Sequence, residues 1–179
     1  SNQKNYFVGG FFIALILIYN FVQQKDYFYG LFFISIFFVG LFADFKLFNN
    51  PKLRLLAQIS ILIFFVYFLD IKIPSTRIEI IDILFENDFI NYSFTVFCLA
   101  ILINGGNFVD GINTLLINYY IIVLGLILLF LNDMNIDQYF VINLFLLLII
   151  ILLFNVFGQI ILGDSGAYIL SLFVGLILI

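Results

Sequence analysis

The chain has 179 residues, of which 65% are hydrophobic and 10% charged, with a net charge of −4 and no histidine or tryptophan. A mean hydropathy of +1.23 lies far outside the globular range and reads as a polytopic membrane protein. It leaves no room for a separate soluble domain, and the lack of a basic patch argues against nucleic acid as a partner.

A spanning helix needs ~20 apolar residues, so the length holds about six or seven spans in one all-α bundle. Residues 1–10 form a short polar lead closing on Gly9-Gly10, a pair suited to close helix packing. Spans are predicted over 7–23 and 27–43, the second ending in Ala43-Asp44-Phe45-Lys46. Asn49-Asn50-Pro51 then signals a turn and a helix start, and span three runs over 55–69. Residues 70–91 alternate as R-I-E-I-I-D-I over 77–83, nearer period two than 3.6, which predicts a surface loop with a short strand or hairpin. Span four, 92–107, carries the single cysteine, Cys98, which reads as a small buried hydrophobe. It ends in the amide cluster Asn104-Gly-Gly-Asn107. Spans five and six follow over 113–131 and 139–155. Asn155 to Gly166 is a polar island, and a seventh span begins near 167. Because Ser1 opens the chain without Met and Ile179 lies within that span, the sequence reads as a fragment truncated at both ends.

Counting crossings places residues 1–10, 44–54, 104–114 and 156–166 on one face. That face carries Lys4, Lys46, Lys52 and Arg54 against Lys25, Lys72 and Arg77 opposite, a small excess that favours the cytoplasmic side. The acids divide more sharply. Asp44, Asp110 and Asp164 fall on this face, and all the others fall on the opposite one. A carboxylate near hydrocarbon costs about 2.5–3.5 kcal/mol on insertion scales, so each is first read as functional. Three carboxylates at helix ends suit a hard cation such as Mg2+, which keeps water and substrate phosphates among its ligands. Ser165 and Gly166 open a helix whose amides favour phosphate, and Asn104 and Asn107 add uncharged donors and acceptors. Taken singly, Asp164-Ser165-Gly166 also reads as an N-cap, the amide cluster as interhelical glue, and Asp44 with Lys46 as a solvated loop pair.

The ordered series Gly40-Leu-Phe-Ala-Asp44-Phe-Lys46, Asn104-x-x-Asn107-Phe-x-Asp110-Gly111 and Gly163-Asp164-Ser165-Gly166 resembles the polyprenyl-phosphate N-acetylhexosamine-1-phosphate transferases, of bacterial glycosyltransferase family 4 type. That family includes undecaprenyl-phosphate GlcNAc-1-phosphate transferase and the phospho-MurNAc-pentapeptide translocase. The resemblance implies transfer of a sugar phosphate from a UDP-N-acetylhexosamine to a polyprenyl phosphate, with Mg2+ required and UMP released. It further implies a bacterial inner-membrane protein with its site facing the cytoplasm, lipid around it, and a homodimer among its allowed assemblies. Asp164 matches the family's metal ligand, and Asp44 and Asp110 match acids placed at the reaction. Lys46, Asn104, Asn107, Gly111, Asn113 and Ser165 fall at substrate-binding positions. The pattern departs at Ala43, Asn113 and Gln159, where members commonly carry Asp, Asp and Lys. Two other readings stay open: a cation-coupled transporter with broken helices, and an inactive homologue that binds lipid phosphate.

Overall fold

The structure is a computed structural model that describes residues 8–110, 114–130 and 138–179. Among the described residues it is all helical: α1 (Gly9–Gln24), α2 (Tyr27–Asp44), α3 (Pro51–Phe68), α4 (Glu79–Phe85), α5 (Asp88–Asp110), α6 (Leu115–Phe130), α7 (Gln138–Val156) and α8 (Gly163–Leu178). Long runs of Phe, Leu and Ile leave the backbone no water to bond, so each run satisfies its own amides as a helix. The breaks fall where local chemistry puts them. Lys25 ends α1 in the left-handed region, φ 64°. The expected turn at Asn50 is an N-cap, its side chain accepting from Lys52 N at 3.0 Å with Pro51 in the first turn.

The helices form a ring with a filled centre. α1, α2, α3, α5, α6 and α7 each touch the next, α7 closes back on α1, and α8 runs inside against α1, α2, α5 and α6. Twelve of the sixteen residues of α8 are buried. Phe173 of α8 meets Phe140 of α7 edge-on at 5.1 Å, and Phe32 stacks on Phe65 at 4.7 Å between α2 and α3. Outward-facing Leu15, Tyr19, Phe64, Tyr67 and Ile122 are each more than half exposed, the surface expected of a bundle solvated by lipid.

α2, α3, α5 and α7 are long and apolar enough to cross a membrane. The other three apolar helices have sixteen described residues each. That is about 24 Å at 1.5 Å per residue, against a hydrocarbon core of ~30 Å.

Three boundaries move. The strand or hairpin expected within 70–91 is instead the helix α4, preceded by an irregular segment over 71–78. A lone strand there has no partner, whereas one helical turn closes its own hydrogen bonds. α5 does not stop before the amide cluster but continues through Asn104 and Asn107 to Asp110. α8 starts at Gly163, so Asp164 and Ser165 sit in its first turn. The polar lead at 1–7 and the loop expected at 132–135 lie outside the described residues.

Candidate active site

Alternating helix directions bring the C-terminal ends of α2 and α5 to the same end of the bundle as the N-terminal ends of α1, α3 and α8. The first turn of α8 is the centre of this end. Its N-cap residue, Leu162, offers no side-chain bond. The cap comes instead from Asp44, 120 residues away: Oδ1 accepts from Asp164 N at 2.7 Å, and Oδ2 accepts from Ser165 N at 3.1 Å and Ser165 Oγ at 2.7 Å. A carboxylate at a helix N-terminus satisfies orphan amides and complements the dipole.

Glycines make this approach possible. Gly163 has φ +76°, and a Cβ on it would lie 2.8 Å from Asp44 Oδ2. Gly10 packs so closely that a Cβ would stand 2.5 Å from Ser165 Oγ. Its amide donates to Leu162 O at 3.1 Å, and that of Gly9 donates to Ile161 O at the same distance. The Gly9-Gly10 pair is therefore a close-packing device, and it anchors the strap that leads into α8.

Asp164 turns outward from this cap. Arg54, in the first turn of α3, donates through Nη1 to its Oδ2 at 2.5 Å, with the side chains 24% and 27% exposed. Arg54 did not figure among the predicted site residues. Its only sequence signal is a cation on the same face as the acids. Asp110, at the end of α5, is half-buried and close enough to Asp164 and Asp44 to feel both charges. No donor from the described residues engages Asp110, nor Oδ1 of Asp164. These unengaged oxygens are hard ligands of the kind Mg2+ takes in ones and twos. No group of three or more acidic, Cys or His side chains forms a cage among the described residues.

The remaining predicted residues divide. Ser165 is fully buried and spends both its amide and its hydroxyl on Asp44. Asn104 donates to Gln58 Oε1 at 2.9 Å and to Ala100 O at 2.8 Å, tying α5 to α3. This is the interhelical role weighed above. Gln58 is itself fully buried; its Nε2 comes near the Tyr168 phenol but makes no hydrogen bond in good geometry. Asn107 is half-buried one turn before Asp110, and Lys46 is exposed just past α2 with φ 57°. Gly111 and Asn113 lie outside the described residues.

The sequence model of glycosyl transferase family 4 matches residues 27–179. The chain belongs to this family. No curated protein and no solved structure matches it. As a glycosyl transferase family 4 chain it is a membrane phospho-sugar transferase, of the kind that uses polyprenyl phosphate. The family match takes in α2 to α8 and therefore all three acids and Arg54. It starts after α1, although Gly9 and Gly10 of that helix hold the strap before Asp164.

Proposed function

We propose that this family 4 protein transfers N-acetylhexosamine 1-phosphate from a UDP-sugar to a polyprenyl phosphate such as undecaprenyl phosphate, at the cytoplasmic face of a bacterial inner membrane, in the first step of a cell-envelope glycan. The observation that carries the reading is the Asp44 cap on the helix that bears Asp164, with α5 ending in Asp110 at the same end of a lipid-facing bundle. A transport site would sit nearer mid-membrane.

The lipid phosphate supplies the nucleophile. Its second pKa is about 6, so one of its oxygens is already anionic near neutral pH and needs no strong base. That oxygen attacks the sugar-side phosphorus, the bond from this phosphorus to the bridging oxygen breaks, and UMP leaves with the electron pair. Asp110 and the free Oδ1 of Asp164 would hold Mg2+, which when bound neutralises charge developing across the diphosphate. Asp44, with both oxygens engaged by α8, fixes the direction of Asp164. Lys46 stands exposed beside the end of α2, able to meet a phosphate. An apolar cavity of about 410 Å³, lined by Ile101, Leu102, Val109, Leu116 and Tyr119, runs between α5 and α6. Its chemistry suits an isoprenoid chain.

Removing Asp164's charge tests the proposal. In Asp164→Asn and in Asp110→Asn, Mg2+-dependent release of UMP from a UDP-N-acetylhexosamine should fall by at least about a hundredfold. Wild-type turnover in either variant removes its carboxylate from the mechanism. Ala43 and Asn113 favour one second reading, a homologue that binds without reacting. Wild-type protein that binds UDP-sugar yet releases no UMP would establish it.

A further inference from the structure

We propose that Arg54 is a placeholder cation: it occupies the Asp164 carboxylate until a divalent cation arrives, then moves to a phosphate of the incoming nucleotide. This rests on the reading that Asp164 ligates a metal. The geometry behind it is local. Arg54 Nη1 lies 2.5 Å from Asp164 Oδ2, the oxygen beside the free Oδ1. Asp44, Asp110 and Asp164 place three acids at this end, and among the described residues Arg54 is the cation paired with them. Lys46 and Lys52 are exposed and bridge to none of the three.

A guanidinium and a divalent ion cannot share one carboxylate cheaply. At carboxylate distances the repulsion between single and double positive charges exceeds what a partly exposed ion pair is worth. A divalent ion on Oδ1 therefore weakens the hold of Oδ2 on Arg54 and frees the guanidinium to move. Arg54 has somewhere to go, because its planar fork matches phosphate oxygens in pairs and the side chain is about a quarter exposed rather than enclosed. Its backbone does not have to move. Gln58, one turn along α3, is buried and held by Asn104 of α5, so the turn carrying Arg54 is fixed while its side chain swings. The arrangement keeps the acid cluster partly neutralised between turnovers and makes metal and nucleotide binding cooperative.

Mn2+ titration of the purified full chain, read as loss of the free Mn2+ electron-spin signal, tests this. Arg54→Gln should bind Mn2+ about threefold to tenfold tighter than wild type, the worth of one charged hydrogen bond removed from competition. The Mn2+-loaded variant should bind UDP about tenfold more weakly. Arg54→Lys should fall between. Unchanged or weaker Mn2+ binding in Arg54→Gln, with Asp164→Asn still weakening it, overturns the proposal and makes the bridge permanent. If Asp164→Asn leaves Mn2+ binding intact, the metal reading itself falls. A second measurement keeps Arg54 in place. Arg54 and Arg77 are the two arginines of the chain, so in Arg77→Lys protein phenylglyoxal reports on Arg54. Mn2+ should accelerate its modification and UDP added afterwards should slow it again. A rate indifferent to Mn2+ also overturns the placeholder role.

Discussion

At the scale of single residues, the site depends on how Asp44 meets α8. Three donors converge on its two oxygens, and charge-assisted hydrogen bonds of this kind are worth about 1.5–3 kcal/mol each when buried. Asp44→Asn turns one oxygen into an NH2 group facing the Ser165 donors. We expect a loss of about 2 kcal/mol, seen as a lower melting temperature in detergent, along with reduced turnover. An acid acting as a base would behave differently, losing turnover with the melting temperature unchanged. Gly163→Ala should also destabilise, by about 1–3 kcal/mol, since it strains the φ of +76° and drives a methyl into the same carboxylate. That Asp44 shares a membrane face with Asp110 and Asp164 was legible in the sequence from the count of crossings. That its partner would be a helix terminus rather than a substrate was not, because a cap contributed from 120 residues away leaves no local trace.

At the scale of elements, the end of the bundle opposite the acids has its own fastening. Lys72 bridges Asp70 at 2.9 Å and Asp88 at 3.0 Å, and the Tyr92 hydroxyl donates to Asp70. Buried Asn91 brackets Ile73, accepting from its N and donating to its O at 2.9 Å each. Next to this, Asp82 accepts from Thr76 N at 2.7 Å, Thr76 Oγ1 at 2.8 Å and Ser75 Oγ at 2.9 Å. The bond from the Thr76 backbone, ahead of that from its hydroxyl, holds the Asp82 carboxyl below its usual range. A depressed acid stabilises above its unfolded pKa, and that contribution is lost as pH falls through the folded value. The 75–82 loop should therefore keep its order down to about pH 4 and loosen below it. Hydrogen exchange at the Thr76 amide checks this, and Asp82→Asn should remove the pH dependence. The seven apolar helices were readable because unbroken apolar runs admit one backbone solution in lipid. α4 was not. It has no buried residue, so its isoleucines follow no core-facing stripe and the segment imitates a strand. Asp82, taken for part of that alternation, is the residue that ends the loop before it.

At the scale of the whole molecule, the ring around α8 makes the position of each acid a consequence of packing. Asp110 is placed by α5, and α5 is placed by how closely it approaches α8. The point of approach is Gly106, where a Cβ would run into Ser171 Oγ and stand 3.1 Å from the Tyr120 hydroxyl. Those groups cannot give way easily: Tyr120 donates to Ser171 at 2.6 Å, Ser171 donates to Ala167 O at 2.6 Å, and both side chains are buried. Its neighbour Gly105 has nothing within 4 Å of the same position. The two glycines are adjacent in sequence and alike in chemistry, so substituting each in turn separates helix spacing from helix propensity. Gly105→Ala should be neutral or stabilise by about 0.5–1 kcal/mol, as alanine does within a helix. Gly106→Ala should cost about 1–3 kcal/mol through overpacking. By pushing the end of α5 outward it should also cut UMP release about tenfold or more, since a small misplacement of a reacting group is expensive. Mn2+ affinity should fall with it, because Asp110 moves while the Arg54–Asp164 pair stays. Paired melting curves and turnover on the two variants decide the matter. Equal effects from both would mean that α5 is set by something other than its contact with α8, and that the gathering of the acids does not depend on the central helix.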